Sequence, residues 1–129
     1  MTHPNEDLLR RGYEAFGAGD LATVISLMAD DIIWHLGPGE AFPGDYHGPQ
    51  EVLEMFGRLM QASGGTYRTD IHEVLANDTH GVVLSNATAE KDGQVLTARA
   101  VHVWHLAGGK ATEHWAMIEP SGAFDLLRV

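Results

Sequence analysis

Cysteine is absent from these 129 residues. Its absence excludes disulfides, thiol nucleophiles and cysteine-based zinc sites. Basic residues are scarce as well. Eight Lys and Arg stand against eighteen Asp and Glu, a formal charge of −10 with histidine neutral. That balance argues against nucleic acid or an anionic membrane surface as a partner, because phosphate recognition needs clustered cations. No apolar run approaches the roughly 20 residues that span a bilayer, and Met1 to Arg11 offers no stretch for a secretory leader. A soluble cytoplasmic protein is the expectation. No repeat or low-complexity tract divides the chain, so 1–129 reads as one domain, long enough to bury a core without staples. What the chain does have is eight histidines and fifteen glycines. Where the histidines sit decides the chemistry.

Pro4 with Asn5, Glu6 and Asp7 marks a helix start, and Leu9, Tyr13 and Phe16 share one helical face. Gly17 and Gly19 end that helix. Asp20 caps a second one with Leu21, Val24, Leu27 and Met28 as its apolar stripe, closed by Ala29-Asp30-Asp31. Residues 32–36 read as a short strand. The stretch 37–48 holds four glycines and two prolines, which predicts a loop, and long loops in compact domains are often functional. Pro49 opens a third helix to about Ala62, with Val52, Met55, Phe56 and Leu59 inward, stopped by Ser63-Gly64-Gly65. The remainder predicts strands over 67–75, 82–91, 94–106 and 111–119. Helices first and a strand meander last indicate an α+β layer fold.

Turn arithmetic assigns the faces. Asp92-Gly93 is a two-residue hairpin signal that pairs Lys91 with Gln94, and so Val83 with His102, Ser85 with Ala100 and Ala87 with Ala98. A three-residue turn at Ala107-Gly108-Gly109 would set His102 opposite His114 and Trp104 opposite Thr112. One face then carries Val83, Ser85, Ala87, Ala98, Ala100, His102, Trp104, His114, Ala116 and Ile118. The small residues at its centre leave room for a cavity. The other face, with Val82, Leu84, Val101, Val103, His105, Trp115 and Met117, is too apolar to meet only water. The carboxylates fall at helix starts, turns and outward strand positions, so the inward ionisable groups are expected to be imidazoles.

The run from Arg11 to Leu21, then Met28-Ala29-Asp30-Asp31, Tyr46-His47-Gly48 and the segment from Gly109 to Trp115 resemble the nuclear-transport-factor-2-like superfamily. The branch is the SnoaL-like group, named for a polyketide cyclase and related to ketosteroid isomerase. The resemblance implies a cone: three helices packed on a strongly curved antiparallel sheet that encloses an apolar pocket. It also implies a homodimer through the outer sheet face. Ketosteroid isomerase has an aspartate base where this chain has Leu36, and an oxyanion-hole tyrosine where this chain has Gly12, with Tyr13 one place off and pointing elsewhere. Its protonated pocket aspartate matches His102. The epoxide-hydrolase branch needs an Asp-Arg-Asp cluster, whereas Arg99 is expected to face outward. Neither activity carries over.

Burial lowers an imidazole pKa, so His102 is expected to be neutral near pH 7 and to act as a base, with His114 holding its tautomer or relaying the proton. Such a pair suits abstraction of a proton next to a carbonyl. Donors to the enolate would be Trp34, Trp104 or Ser85, and Phe16, Leu36, Met55 and Phe56 would complete the substrate wall. The ligand is expected to be a small apolar molecule, and no cofactor is expected. His35 should point away from the pocket, Tyr46 and His47 flank its mouth or cap the third helix, and His3, His72 and His80 lie on the surface. Three classes of function remain. One is a cofactor-independent isomerase, cyclase or lyase; another is a binding module without chemistry. The third is a metal site of His102, His114 and His35. No His-x-x-x-His spacing and no inward carboxylate supports that last one.

Overall fold

The computed structural model describes residues 2–128. The first helix, α1, is Pro4–Gly17. His3 caps it, its Nδ1 accepting from the Asn5 amide at 3.0 Å, so a histidine expected on the surface is a half-buried cap. Leu8, Leu9 and Ala15 are buried on its inner side. The second helix, α2, is Leu21–Ser26, capped by Asp20 through the Thr23 amide. It ends sooner than its stripe predicts, and β1, Met28–Leu36, begins at Met28 rather than Ile32. The cause is tertiary: Ala111 donates its amide to the Leu27 carbonyl at 2.8 Å, which draws the chain into the sheet.

The expected loop 37–48 contains a strand. Gly44–His47, β2, pairs antiparallel with β1 through Ile33 with His47 and Leu36 with Gly44. Four residues are too few for an alternation to show, and the hydrogen bonds that define the strand come from across the loop. Helix α3, Gly48–Ala62, buries Val52, Met55 and Phe56. Strands β3 (Arg68–Ala76), β4 (His80–Lys91), β5 (Gln94–Ala107) and β6 (Lys110–Glu119) follow, then a 3₁₀ turn at Asp125–Arg128.

The strands form one curved sheet in the order β2-β1-β6-β5-β4-β3. Every neighbouring pair is antiparallel except β1 with β6, which are parallel. The fold is thus α+β, three helices on a six-stranded mixed sheet. The β4–β5 register is the one predicted, from Lys91 with Gln94 to Val83 with His102. Its turn residues, Asp92 at φ 52° and Gly93 at φ 78°, have the left-handed backbone a two-residue hairpin needs.

The next hairpin corrects the arithmetic. Its turn is the two-residue Gly108-Gly109, with Ala107 opposite Lys110, and a bulge follows between His105 and Leu106. The bulge leaves Thr112 as the extra residue, and its hydroxyl donates to the His105 carbonyl at 3.2 Å. Together they put Trp104 opposite His114 and His102 opposite Ala116, two places from the expected pairing. A shift of two preserves the face, so both histidines still point inward.

Ala87, Ala89 and Ala98 lie under Phe124 and Leu127, so the C-terminal segment fills that end of the concave face. On the outer face Leu84, Val101, Val103 and Trp115 are partly exposed, and Met117 is 52% exposed. Among the described residues no helix is long and apolar enough to cross a membrane.

Candidate functional site

A cavity of about 120 Å³ lies between the sheet and the helices. Helix α1 supplies Leu9, Tyr13 and Phe16, and α3 supplies Met55, Phe56 and Leu59. Strand β1 brings Trp34 and Leu36, β5 brings Ala100, His102 and Trp104, and β6 brings His114 and Ala116. Every predicted pocket residue therefore lines it except Ser85. The Ser85 hydroxyl donates to the Ala100 carbonyl at 3.3 Å, and the side chain is not part of the wall. The aromatic rings meet edge to face, Trp34 at 5.3 Å from Phe56 and 5.2 Å from Trp104. Rings so arranged make a stiff apolar wall.

The polar centre on the sheet side is a chain of three residues. Trp104 Nε1 donates to the Tyr13 hydroxyl at 3.3 Å, and that hydroxyl is hydrogen-bonded to His102 Nδ1. Tyrosine has one proton to give, and Trp104 is a donor only. His102 Nδ1 is the one acceptor bonded to the hydroxyl among the described residues, so the hydroxyl donates and His102 keeps its own proton on Nε2. The other tautomer would leave the phenol proton without an acceptor, at a cost of about 1–3 kcal/mol. Burial pushes His102 down to about 4. Burial also holds the Tyr13 phenol above its ordinary range, outweighing the Trp104 hydrogen bond. Both are neutral near pH 7. Tyr13 does not point elsewhere, as the resemblance to ketosteroid isomerase implied; the Leu9-Tyr13-Phe16 periodicity is the better guide to its direction.

His114 is 1% exposed, and neither ring nitrogen has a hydrogen-bond partner among the described residues. It stacks on Trp34 at 3.7 Å because the parallel register sets Trp34 beside it. Burial drives its pKa well down, with the nearby His102 and His35 adding to the effect. Its ring is 5.2 Å from that of His102, edge to face, and the hydrogen-bond partner of His102 is Tyr13 instead.

A carboxylate absent from the sequence reading also belongs to the cavity wall. Glu40 lines the wall near Tyr67 and Thr69. Burial alone raises its carboxyl to about 7. Burial also raises Tyr67 to about 12, eased by a hydrogen bond with Thr69 and reinforced by the charge of Glu40. The start of the loop is held by two backbone hydrogen bonds. The Glu40 amide donates to the Gly37 carbonyl at 3.1 Å, and Gly122 donates to the Gly39 carbonyl at 3.0 Å. A side chain at Gly39 would meet Ser121 Oγ at 2.5 Å, so only glycine permits that approach. Beyond it, Tyr46 donates to the Phe42 carbonyl at 2.7 Å, and Arg58 covers both rings. His47 is exposed at the start of α3 and makes no side-chain cap, so of the two mouth candidates Tyr46 braces the loop.

His35 is on the outer sheet face, between Asp45 at 2.7 Å and Glu113 at 2.6 Å. Partial burial opposes its charge, but the hydrogen bonds to the two carboxylates outweigh it and raise its pKa. The sheet separates it from His102 and His114. Among the described residues, no group of three or more histidine or carboxylate side chains is arranged to hold a metal ion. Arg99 points outward to Glu119 at 3.4 Å.

A family model for the SnoaL-like domain matches residues 9–114. An uncharacterized protein of Mycobacterium tuberculosis is 31% identical over 107 residues, which cover 82% of each chain. The structure of Bal32a, from a soil-derived mobile gene cassette, superposes with a TM-score of 0.89 at 28% identity, over 98% of this chain and 97% of that one. IdmH of Streptomyces antibioticus, a candidate polyketide cyclase, superposes at 0.78 over 99% and 100%, and at 21% identity it shares the fold alone. With the family's match running from the first helix to the inward histidine of the last strand, the chain belongs to the SnoaL-like domain family of the nuclear-transport-factor-2-like superfamily.

Proposed function

We propose that this protein is a cofactor-independent isomerase, cyclase or lyase acting on a small apolar carbonyl compound. One observation carries the reading. His102, neutral and fixed by Tyr13 in the tautomer with its proton on Nε2, stands in a cavity walled by aromatic rings. An imidazole N–H in an apolar enclosure is a strong donor to a carbonyl oxygen, and it strengthens as that oxygen gains charge. Proton transfer beside the carbonyl is the step that isomerisation, aldol cyclisation and dehydration share. A placed side chain accelerates such a step by roughly 10²–10⁴-fold, which suits activated substrates. The likeness in fold to a candidate polyketide cyclase agrees with this class.

Uncharged cyclic ketones and diketones, incubated with the protein in deuterium oxide and followed by proton NMR, test it. The expected result is catalysed exchange beside the carbonyl, lost in His102→Ala while the variant keeps its melting transition. Full exchange by a folded His102→Ala would overturn the proposal. The outer face, with Trp115 partly and Met117 largely uncovered, supports the further reading that two copies pair there. Light scattering at twice the 14.0 kDa chain mass is the expected result, and a monomer counts against it.

A further inference from the structure

The donor side of the cavity contains no base. His102 spends Nδ1 accepting from Tyr13 and offers only an N–H. Both nitrogens of His114 are sealed from solvent, and Tyr13 and Tyr67 hold their protons. These four and Glu40 are the titratable side chains of the cavity wall among the described residues, and the wall carries no lysine or arginine. A carbon acid bound there has one place to send its proton.

We propose that Glu40 is the catalytic base of this pocket, taking a proton from the carbon beside a carbonyl whose oxygen is held by His102 Nε2–H. The assignment rests on the enzymatic reading given above. Its geometry is that of a poised group. Glu40 lies half-buried on the cavity wall, and among the described residues no hydrogen bond or ion pair holds its carboxyl. The loop under it is fixed by the Gly37 turn and by the Gly39–Gly122 hydrogen bond. A carboxyl raised to about 7 takes and returns protons near neutral pH with little bias. In the step, the C–H bond breaks, its electron pair forms the enolate double bond, and the carbonyl pair moves onto oxygen. The proton rests on Glu40. Return of that proton to a different carbon isomerises the substrate, and attack of the enolate carbon on a second carbonyl closes a ring.

The same arrangement fixes the substrate's charge. With no cation on the wall, an anionic substrate would face Glu40 unpaired in an apolar enclosure. The substrate class is therefore an uncharged, flat ketone or diketone, and free carboxylic acids are rejected.

Deuterium exchange on β-tetralone, followed across pH, provides the test, with probe binding read from tryptophan fluorescence. Glu40→Gln is expected to bind the probe, to exchange it at least about 100-fold more slowly, and to lose the rise in rate near neutral pH. Glu40→Ala is expected to regain exchange when formate is added, a rescue that a merely structural role would not give. Tetralone carboxylic acid is expected not to bind. If Glu40→Gln exchanges at the wild-type rate with the same pH profile, Glu40 is not the base, and the role of His102 stands. If the wild-type chain exchanges no ketone, the enzymatic reading fails and the Glu40 assignment fails with it.

Discussion

The hydroxyl of Tyr13 on the first helix and Nδ1 of His102 in the middle of the sheet share one hydrogen bond across 89 positions of sequence. That bond turns an imidazole expected to serve as a base into a hydrogen-bond donor. Trp104 supports it from behind by donating to the same hydroxyl. Helix, sheet and tautomer are thus set together.

Tyr13→Phe removes the donor to His102 and the acceptor for Trp104 in one substitution. We expect a loss of about 1–3 kcal/mol in urea denaturation. Nitrogen NMR should show His102 protonated at Nε2 in the wild type and a mixture of tautomers in the variant. A wild-type ring protonated at Nδ1 would reverse the direction of the hydrogen bond.

His114 has a burial cost that no hydrogen bond among the described residues offsets. His114→Leu, close in volume, removes two orphaned nitrogens and loses the stack on Trp34. The expected change is a gain of up to about 1 kcal/mol in chemical denaturation. A loss of several kcal/mol would show that the imidazole is bonded in solution.

Stability should depend on pH through groups of opposite sign, His102 against Glu40, with His114 adding to the first and His35 to the second. Folded His102 stays neutral down to about 4, while its ordinary value is 6.5. Between those values the unfolded chain binds the extra proton, so the contribution of His102 is full above 6.5 and is lost as pH drops, by about 3 kcal/mol. Glu40 acts the other way. Its carboxyl holds a proton up to about 7 when folded, against an ordinary 4.5, so its contribution is full below 4.5 and is lost as pH rises through 7. Glu40→Gln should therefore be more stable than wild type near about pH 8, by up to about 3 kcal/mol, and unchanged near about pH 4. Denaturation curves at a series of pH values measure both limbs, and identical curves for the two chains would refute a raised Glu40.

Gly39→Ala places a methyl 2.5 Å from Ser121 Oγ and 3.2 Å from its Cα, so the loop has to move. We expect a loss of about 1–3 kcal/mol. Because the same loop carries Glu40, ketone exchange should fall by more than the stability loss explains. Thermal melting and the exchange assay, compared on the folded fraction, separate the two effects.

The sequence by itself determined the order of most elements, the β4–β5 register and the inward face of His102 and His114. Those follow from local rules: helical periodicity, strand alternation and a two-residue turn whose geometry admits a single register. Faces survived even where partners did not, since the two-residue turn and the bulge at Thr112 together moved the β5–β6 pairing by two places. The Tyr13 direction was also legible, in its spacing from Leu9 and Phe16.

Tertiary structure alone decided the rest. Whether an inward histidine gives or accepts a proton depends on what touches its other nitrogen, and that partner is 89 residues away. Strand β2 exists because β1 offers it hydrogen bonds, and the parallel pairing of β1 with β6 joins elements with no turn between them. Glu40 sits among glycines and prolines, where no periodicity says which way a side chain points. The loop that carries it is tied to Gly122 and places it on the cavity wall, and burial there raises its carboxyl to about 7.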